Sequence, residues 1–199
     1  MRITKTLFIS AVLLMSATGL QAAGFIQKGN YLTVQLKEHQ NYGPSQIRLQ
    51  VVNDQIIRVQ ATAEQSFRNK QSLIIVPQNS KANYKMEEQG DKLIITTAAM
   101  RAVLNEATGQ ITFYDLKDNV LLSEVAQGGK TFKPFTVPDR EIGVDIAKVP
   151  EAQKHGWSWR ALFDSPDNEA FYGLGQHQSE ELNMKGKNED LFQYNTKVS

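Results

Sequence analysis

Ile47-Arg48-Leu49-Gln50-Val51 carries an apolar side chain at every second position, and the reading of that stretch decides the fold. Successive side chains of an extended strand point to opposite faces, so Ile47, Leu49 and Val51 share one face and Arg48 and Gln50 the other. Outward from this strand, similar runs recur at Tyr31 to Leu36, Gln55 to Ala61, Leu73 to Val76, Lys92 to Thr97, Arg101 to Asn105, Gln110 to Tyr114 and Val120 to Glu124. Asn53-Asp54, Gly90-Asp91, Thr108-Gly109 and Asp118-Asn119 lie between neighbouring runs. These residue types suit tight hairpin turns, so the runs read as antiparallel neighbours.

Many short strands without helices between them predict an all-β chain folded as an antiparallel sandwich rather than a parallel α/β sheet. Val103 to Ala107 is too short to count as a helix. From Gly128 the texture changes, with Gly128-Gly129, Pro134, Pro138, Pro150 and Pro166 punctuating less regular chain. Glu141 to Val149 and Trp157 to Phe163 still alternate enough to be strands. The 199 residues suit one domain, and 41% apolar with 22% charged residues is an ordinary globular composition.

The first residues break this pattern. Arg2 and Lys5 precede an apolar run from Leu7 to Met15, and Gln21-Ala22-Ala23 follows, the layout of a signal peptide cleaved after Ala22 or Ala23. The run is about half of the roughly 20 residues a membrane-spanning helix needs. The expected division is therefore a signal peptide at 1–23 and a β-sandwich domain at 24–199. A periplasmic or secreted product free of the membrane after cleavage is expected. Loss of Arg2 and Lys5 would leave 20 basic against 21 acidic residues, a balance that gives no footprint for nucleic acid. The absence of cysteine excludes disulfides, thiolate metal sites and lipid attachment through an amino-terminal cysteine.

Signals for chemistry are sparse. His39, His155 and His177 lie far apart without a second ligand at helical or hairpin spacing, so neither a metal nor any other cofactor is expected. Gly173-Leu174-Gly175 begins like a dinucleotide fingerprint, but Gln178 stands at the third glycine position and no crossover helix follows. The acidic pairs Glu87-Glu88, Glu180-Glu181 and Glu189-Asp190 are adjacent, which on a strand sends the two carboxyls to opposite faces. No Gly-x-Ser-x-Gly elbow is present. Trp157 and Trp159 share one strand face, an arrangement that suits packing between two sheets more than stacking on sugar rings.

The carboxyl-terminal thirty residues are more specific. Glu169-Ala170-Phe171-Tyr172-Gly173-Leu174-Gly175-Gln176-His177-Gln178, then Asn183-Met184-Lys185-Gly186-Lys187 and Leu191-Phe192-Gln193-Tyr194-Asn195-Thr196-Lys197-Val198-Ser199, resemble the end of the amino-terminal domain of glycoside hydrolase family 31. Arg48 to Val52, Ile56 to Val59 and Thr108 to Phe113 fit the same domain. The resemblance implies a galactose-mutarotase-like β-sandwich preceding a catalytic (β/α)8 barrel in exo-acting α-glucosidases and α-xylosidases. Gln176-His177-Gln178 is most similar to bacterial α-xylosidases. Such enzymes act by retention through two aspartates supplied by the barrel, and neither aspartate motif occurs here.

No catalytic residue therefore carries over, and the chain reads as truncated before the barrel. The resemblance implies substrate-binding roles for Asn195 and Thr196 alone, on a loop reaching the pocket mouth, with Lys197 where the family often has aspartate. The implied partners are an α-xylosyl or α-glucosyl oligosaccharide and the catalytic barrel of the longer chain, which this domain would pack against on the leaving-group side of the pocket. The competing readings are a stand-alone carbohydrate-binding module using Trp157 and Trp159, and a structural envelope protein.

Overall fold

The alternation in sequence becomes alternation in burial. The computed structural model describes residues 24–36, 41–68, 82–137, 145–173 and 181–189. Strand β3 (Gln46–Asn53) buries Ile47, Leu49 and Val51 completely and leaves Gln46, Arg48 and Gln50 partly exposed. It pairs antiparallel with β2 (Tyr31–Gln35) and β4 (Ile56–Thr62), and β2 with β1 (Phe25–Lys28), in the order β1-β2-β3-β4.

A second antiparallel sheet runs in sequence order through β5 (Lys85–Gln89), β6 (Lys92–Thr96), β7 (Arg101–Asn105), β8 (Ile111–Tyr114) and β9 (Val120–Ser123). Leu32, Val34, Ile47, Leu49 and Val51 of the first sheet join Leu93, Ile95, Leu104 and Ile111 of the second in one buried cluster. Two sheets sharing one core make a sandwich. Removing each such Leu or Ile from water contributes about 1.5–3 kcal/mol, so period-two patterning is what fixes the strand register.

The turns use the chemistry that the sequence predicts. Gly90 holds the β5–β6 turn at φ 63°, and Asn105 Oδ1 accepts from the amides of Ala107 (2.9 Å) and Thr108 (3.1 Å) in the β7–β8 loop. Asp115 Oδ1 accepts from Lys117 N (2.8 Å) and Asn119 N (2.9 Å) between β8 and β9. Each carboxylate or amide oxygen thus satisfies backbone donors that the turn would otherwise strand.

A third unit is the two-stranded ribbon of β10 (Lys130–Thr136) and β11 (His155–Ala161). A buried ion pair fixes its base. Lys130 Nζ donates to Glu124 Oε2 and, at 3.2 Å, to the Gly109 carbonyl, while Glu124 Oε2 also accepts from Ile111 N at 3.0 Å. Burial pushes the Glu124 carboxyl up and the Lys130 ammonium down, and each partner offsets part of the other's shift. Gly128 (φ 96°) is obligatory between them, since a Cβ there would sit 2.0 Å from the Thr108 carbonyl oxygen.

Three strands escape the sequence patterning. β1, β5 and β10 carry mixed polar and apolar residues on weakly buried faces, so alternation does not mark them. Glu141 to Val149 differs from the expected strand in its described part, where Ile146–Lys148 forms a 3-10 turn followed by the short helix α1 (Glu151–Lys154). Pro150 directly before α1 suits a helix start better than a strand. Leu73 to Val76 lies outside the described residues. None of the described helices is long and apolar enough to cross a membrane.

Candidate functional site

Pairing across the ribbon places Phe132 opposite Trp159, Pro134 opposite Trp157 and Thr136 opposite His155. Opposed residues and residues two apart share a face, so Phe132, Trp157, Trp159 and His155 form one aromatic strip with Pro134 and Thr136 among them. Trp159 is 68% exposed and Trp157 44%. This corrects the expectation that the two indoles fill the space between sheets. They sit on the β10–β11 ribbon, whose face fronts an open groove rather than a close-packed sheet.

The strip faces the end of β4 across a groove of about 520 Å³ whose other wall includes Gln60, Thr62, Glu64, Phe67 and Arg68. Arg68 grips Glu64 through both carboxylate oxygens, Nε to Oε2 at 3.1 Å and a terminal nitrogen to Oε1 at 2.5 Å. The Arg68 hydrogen bond, helped by the Trp157 indole, holds the Glu64 carboxyl below its ordinary range. Ser45 Oγ donates to the carbonyls of Glu64 (2.5 Å) and Thr62 (3.1 Å), which ties this segment to the start of β3. His155 meets Glu151 Oε1 through Nε2 at 2.9 Å and Thr136 Oγ1 through Nδ1 at 3.2 Å. No sequence signal marks this grouping, because Glu64 and Arg68 are separated from the ribbon by more than sixty positions.

A second concavity, of about 490 Å³, lies along the first half of β4. Ile56, Ile57 and Val59 form one wall; Phe113, Leu121, Leu122 and Phe163 form the other. A third, of about 480 Å³, lies on the outer face of the five-stranded sheet and is charged. There Arg101 pairs with Asp118 at 2.6 Å and lies over the Tyr114 ring, 4.8 Å from its centroid.

Several carboxylates are each held by a cation: Glu64 by Arg68, Glu124 by Lys130, Glu151 by Lys154, with His155 as a further hydrogen-bond partner, and Glu181 by Lys187 at 2.8 Å. Such pairing commits these carboxylates to structure rather than to proton transfer to a substrate. Glu87 and Glu88 are adjacent on β5 and therefore point to opposite faces. Among the described residues no three His, Asp or Glu side chains gather around a possible metal position. Gly173 adopts φ 95° in open space, so backbone conformation rather than close packing explains it. Asn195 and Thr196 lie outside the described residues, as do His39 and His177.

Two stacked antiparallel sheets with exposed aromatic and apolar grooves, and carboxylates committed to ion pairs, define a β-sandwich domain of the galactose-mutarotase-like kind. The chain belongs to glycoside hydrolase family 31. Residues 46–199 match the family model described as the glycosyl hydrolase 31 N-terminal galactose mutarotase-like domain. An uncharacterized family 31 glucosidase of Pseudescherichia vulneris is 24% identical over 162 residues, covering 77% of this chain and 30% of the relative. The crystal structure of a family 31 α-xylosidase from Xanthomonas citri superposes with a TM-score of 0.68 at 34% identity, covering 85% of this chain and 16% of that one. A family 31 dextranase from Flavobacterium johnsoniae, complexed with isomaltotriose, superposes with a TM-score of 0.53 at 20% identity over 83% of this chain and 17% of its own. The chain thus spans less than a third of the length of each of these proteins.

Proposed function

We propose that the chain is the amino-terminal β-sandwich of an exported, retaining exo-α-glycosidase acting on α-xylosyl or α-glucosyl oligosaccharides. The carrying observation is the family match over residues 46–199, supported by the likeness to an α-xylosidase at 34% identity. On this reading residues 1–23 are a signal peptide and the mature protein is periplasmic or secreted. The sandwich packs on a catalytic (β/α)8 barrel that supplies both carboxylates of the double displacement. Asn195 and Thr196 border the leaving-group side of the pocket, where short neutral side chains orient sugar hydroxyls without taking part in proton transfer.

The test has two arms. Intact mass of the exported product should begin at Ala23 or Gly24; a soluble product retaining Met1 to Leu20 would refute export. The 199-residue chain should leave aryl α-xylosides and α-glucosides unchanged while the complete polypeptide hydrolyses one of them; turnover by the short chain alone would overturn the division of labour. The exposure of Trp157 and Trp159 favours a second reading, a carbohydrate-binding module without catalysis. Saturable binding of an oligosaccharide to the short chain, with no hydrolysis by the complete gene product, would select it.

A further inference from the structure

Strand β7 runs directly into a carboxylate that faces inward. Burial along Arg101–Asn105 falls on Ala102 and Leu104, and Glu106 continues that phase one residue beyond the strand, at 4% exposure. Its backbone is pinned: Glu106 N donates to the Asp91 carbonyl at 2.7 Å, and Asn105 N to the Gln110 carbonyl at 2.9 Å. The alternation that sends Leu104 into the core therefore sends the Glu106 carboxyl to its end.

Gly24 lies against that carboxyl. A Cβ at position 24 would stand 2.7 Å from Glu106 Oε2, 3.2 Å from its Cδ and 3.3 Å from Oε1. Gly24 does not adopt the left-handed conformation that favours glycine, so what its missing side chain provides is room for the carboxylate. The next residue, Phe25, pairs with Val34 and packs on the buried cluster, which holds Gly24 in place. A nitrogen and a Cβ on one Cα are about 2.5 Å apart, so the Gly24 nitrogen lies within about 5 Å of Oε2. In the uncut chain that nitrogen belongs to a neutral amide. Cleavage directly before Gly24 turns it into an ammonium, and cleavage one residue earlier moves the ammonium by no more than about 3.8 Å.

We propose that the amino terminus released by signal cleavage pairs with Glu106, an ion pair that exists only in the processed protein. This inference rests on the reading of residues 1–23 as a signal peptide. A carboxylate offers about four acceptor sites, so the ammonium adds to the contacts that Glu106 makes elsewhere. Water screens a carboxylate at 4% exposure weakly, which strengthens the attraction over that of a surface pair. Gly24 itself is only partly buried, so the ammonium keeps some of its hydration. The pair ties β1 of the first sheet to the β7–β8 loop of the second, and that tie waits on processing.

Hydrogen exchange in β1 tests it. The complete polypeptide is made with a removable leader in place of residues 1–23, cut directly before Gly24, and the amides of residues 26–28 are followed before and after the cut. Cutting should slow their exchange about tenfold, and in Glu106→Gln it should leave the exchange unchanged. Acetylating the Gly24 amine of the cut chain, which keeps every side chain in place, should restore the faster exchange without any substitution at Glu106. The same slowing in Glu106→Gln, or exchange unaffected by acetylation, would overturn the pairing. The signal-peptide reading fails separately: an exported product that retains residues 1–20 would mean that the pair never forms in the cell, however the cut chain behaves.

Discussion

The two flanks of the sandwich are finished in opposite ways. At the flank formed by β1 and β5, Lys28, Lys85, Glu87 and Glu88 are exposed, and Gln27 Nε2 donates to the Tyr84 hydroxyl at 3.1 Å to join the sheets. Phe25, Tyr84 and Met86 fold in behind them onto the core. At the flank formed by β4 and β9, Ile56, Val120, Leu121 and Leu122 are exposed instead, and a groove opens between the sheets. Charged edges repel further pairing, whereas apolar edges invite it. The first flank also exposes Ile26 at 74%, so the difference lies less in exposure than in the apolar groove that opens between β4 and β9.

The strongest way to break that contrast is to undo the clasp beside the open flank. Lys130→Met should cost about 3–5 kcal/mol in urea denaturation, because it strands the Glu124 carboxylate in a buried site. The sign of its pH dependence follows from burial. The Glu124 carboxyl is raised in the folded chain, and without Lys130 it rises further, so the ionised form opposes folding. The deficit should be complete above the raised folded value and vanish below the usual 4.5, where both states bind the proton. Adding Glu124→Gln, which keeps an acceptor for Ile111 N, should restore much of the loss at neutral pH.

Glycine substitutions sharpen the contrast at a smaller scale. Gly128→Ala places a Cβ against the Thr108 carbonyl at φ 96° and should cost on the order of 3 kcal/mol. Gly90→Ala, in the β5–β6 turn of the first flank, has φ 63° but nothing within 4 Å, so about 1 kcal/mol is expected. Thermal melts of the two variants separate steric conflict from backbone preference. Equal losses would show that the Thr108 contact relaxes freely.

The same contrast explains what was legible in the sequence. Strands β3, β6 and β7 bury one face completely, so Ile47, Leu49, Leu93, Ile95 and Leu104 announce their period. β5 hides because its exposed positions are mostly charged, and β10 because Pro134 and Phe135 are exposed and Phe132 is only half-buried, so no face of it is apolar and buried throughout. Trp157 and Trp159 misled for a related reason: their spacing gives their shared face but not whether anything stacks upon it. The groove facing them was illegible because Glu64, Arg68 and the ribbon meet only through tertiary packing.

A more local effect is expected at the β8–β9 turn. The Asn119 side chain and backbone amide hold the Asp115 carboxyl below its ordinary 3.8. Its folded value is depressed, so the support it gives the turn is present above 3.8 and lost as pH falls through the folded value. An NMR titration should place its midpoint below 3.8, and Asp115→Ala should abolish the acid-dependent shifts of Lys117 and Asn119. Unchanged shifts would remove Asp115 from the turn.

The smallest change in stability belongs to the feature that gives the open flank its meaning. Leu121 and Leu122 are 58% and 43% exposed, so a lysine at either position leaves little packing to lose in the 199-residue chain. Leu121→Lys/Leu122→Lys should move its unfolding free energy by no more than about 0.5 kcal/mol per site. Its self-association should change far more, because two charges interrupt the apolar wall facing Ile56 and Ile57. Light scattering should show the parent chain growing in mass with concentration and the variant remaining monomeric. The matched control is Glu87→Lys/Glu88→Lys on β5, which alters an edge already charged and should leave association unchanged. A monomeric parent at high concentration, or equal association in both variants, would erase the distinction between the flanks. A loss of several kcal/mol in the leucine variant would instead mean that the β9 edge is already packed in the chain alone, leaving the groove beside β4 with no free wall to offer.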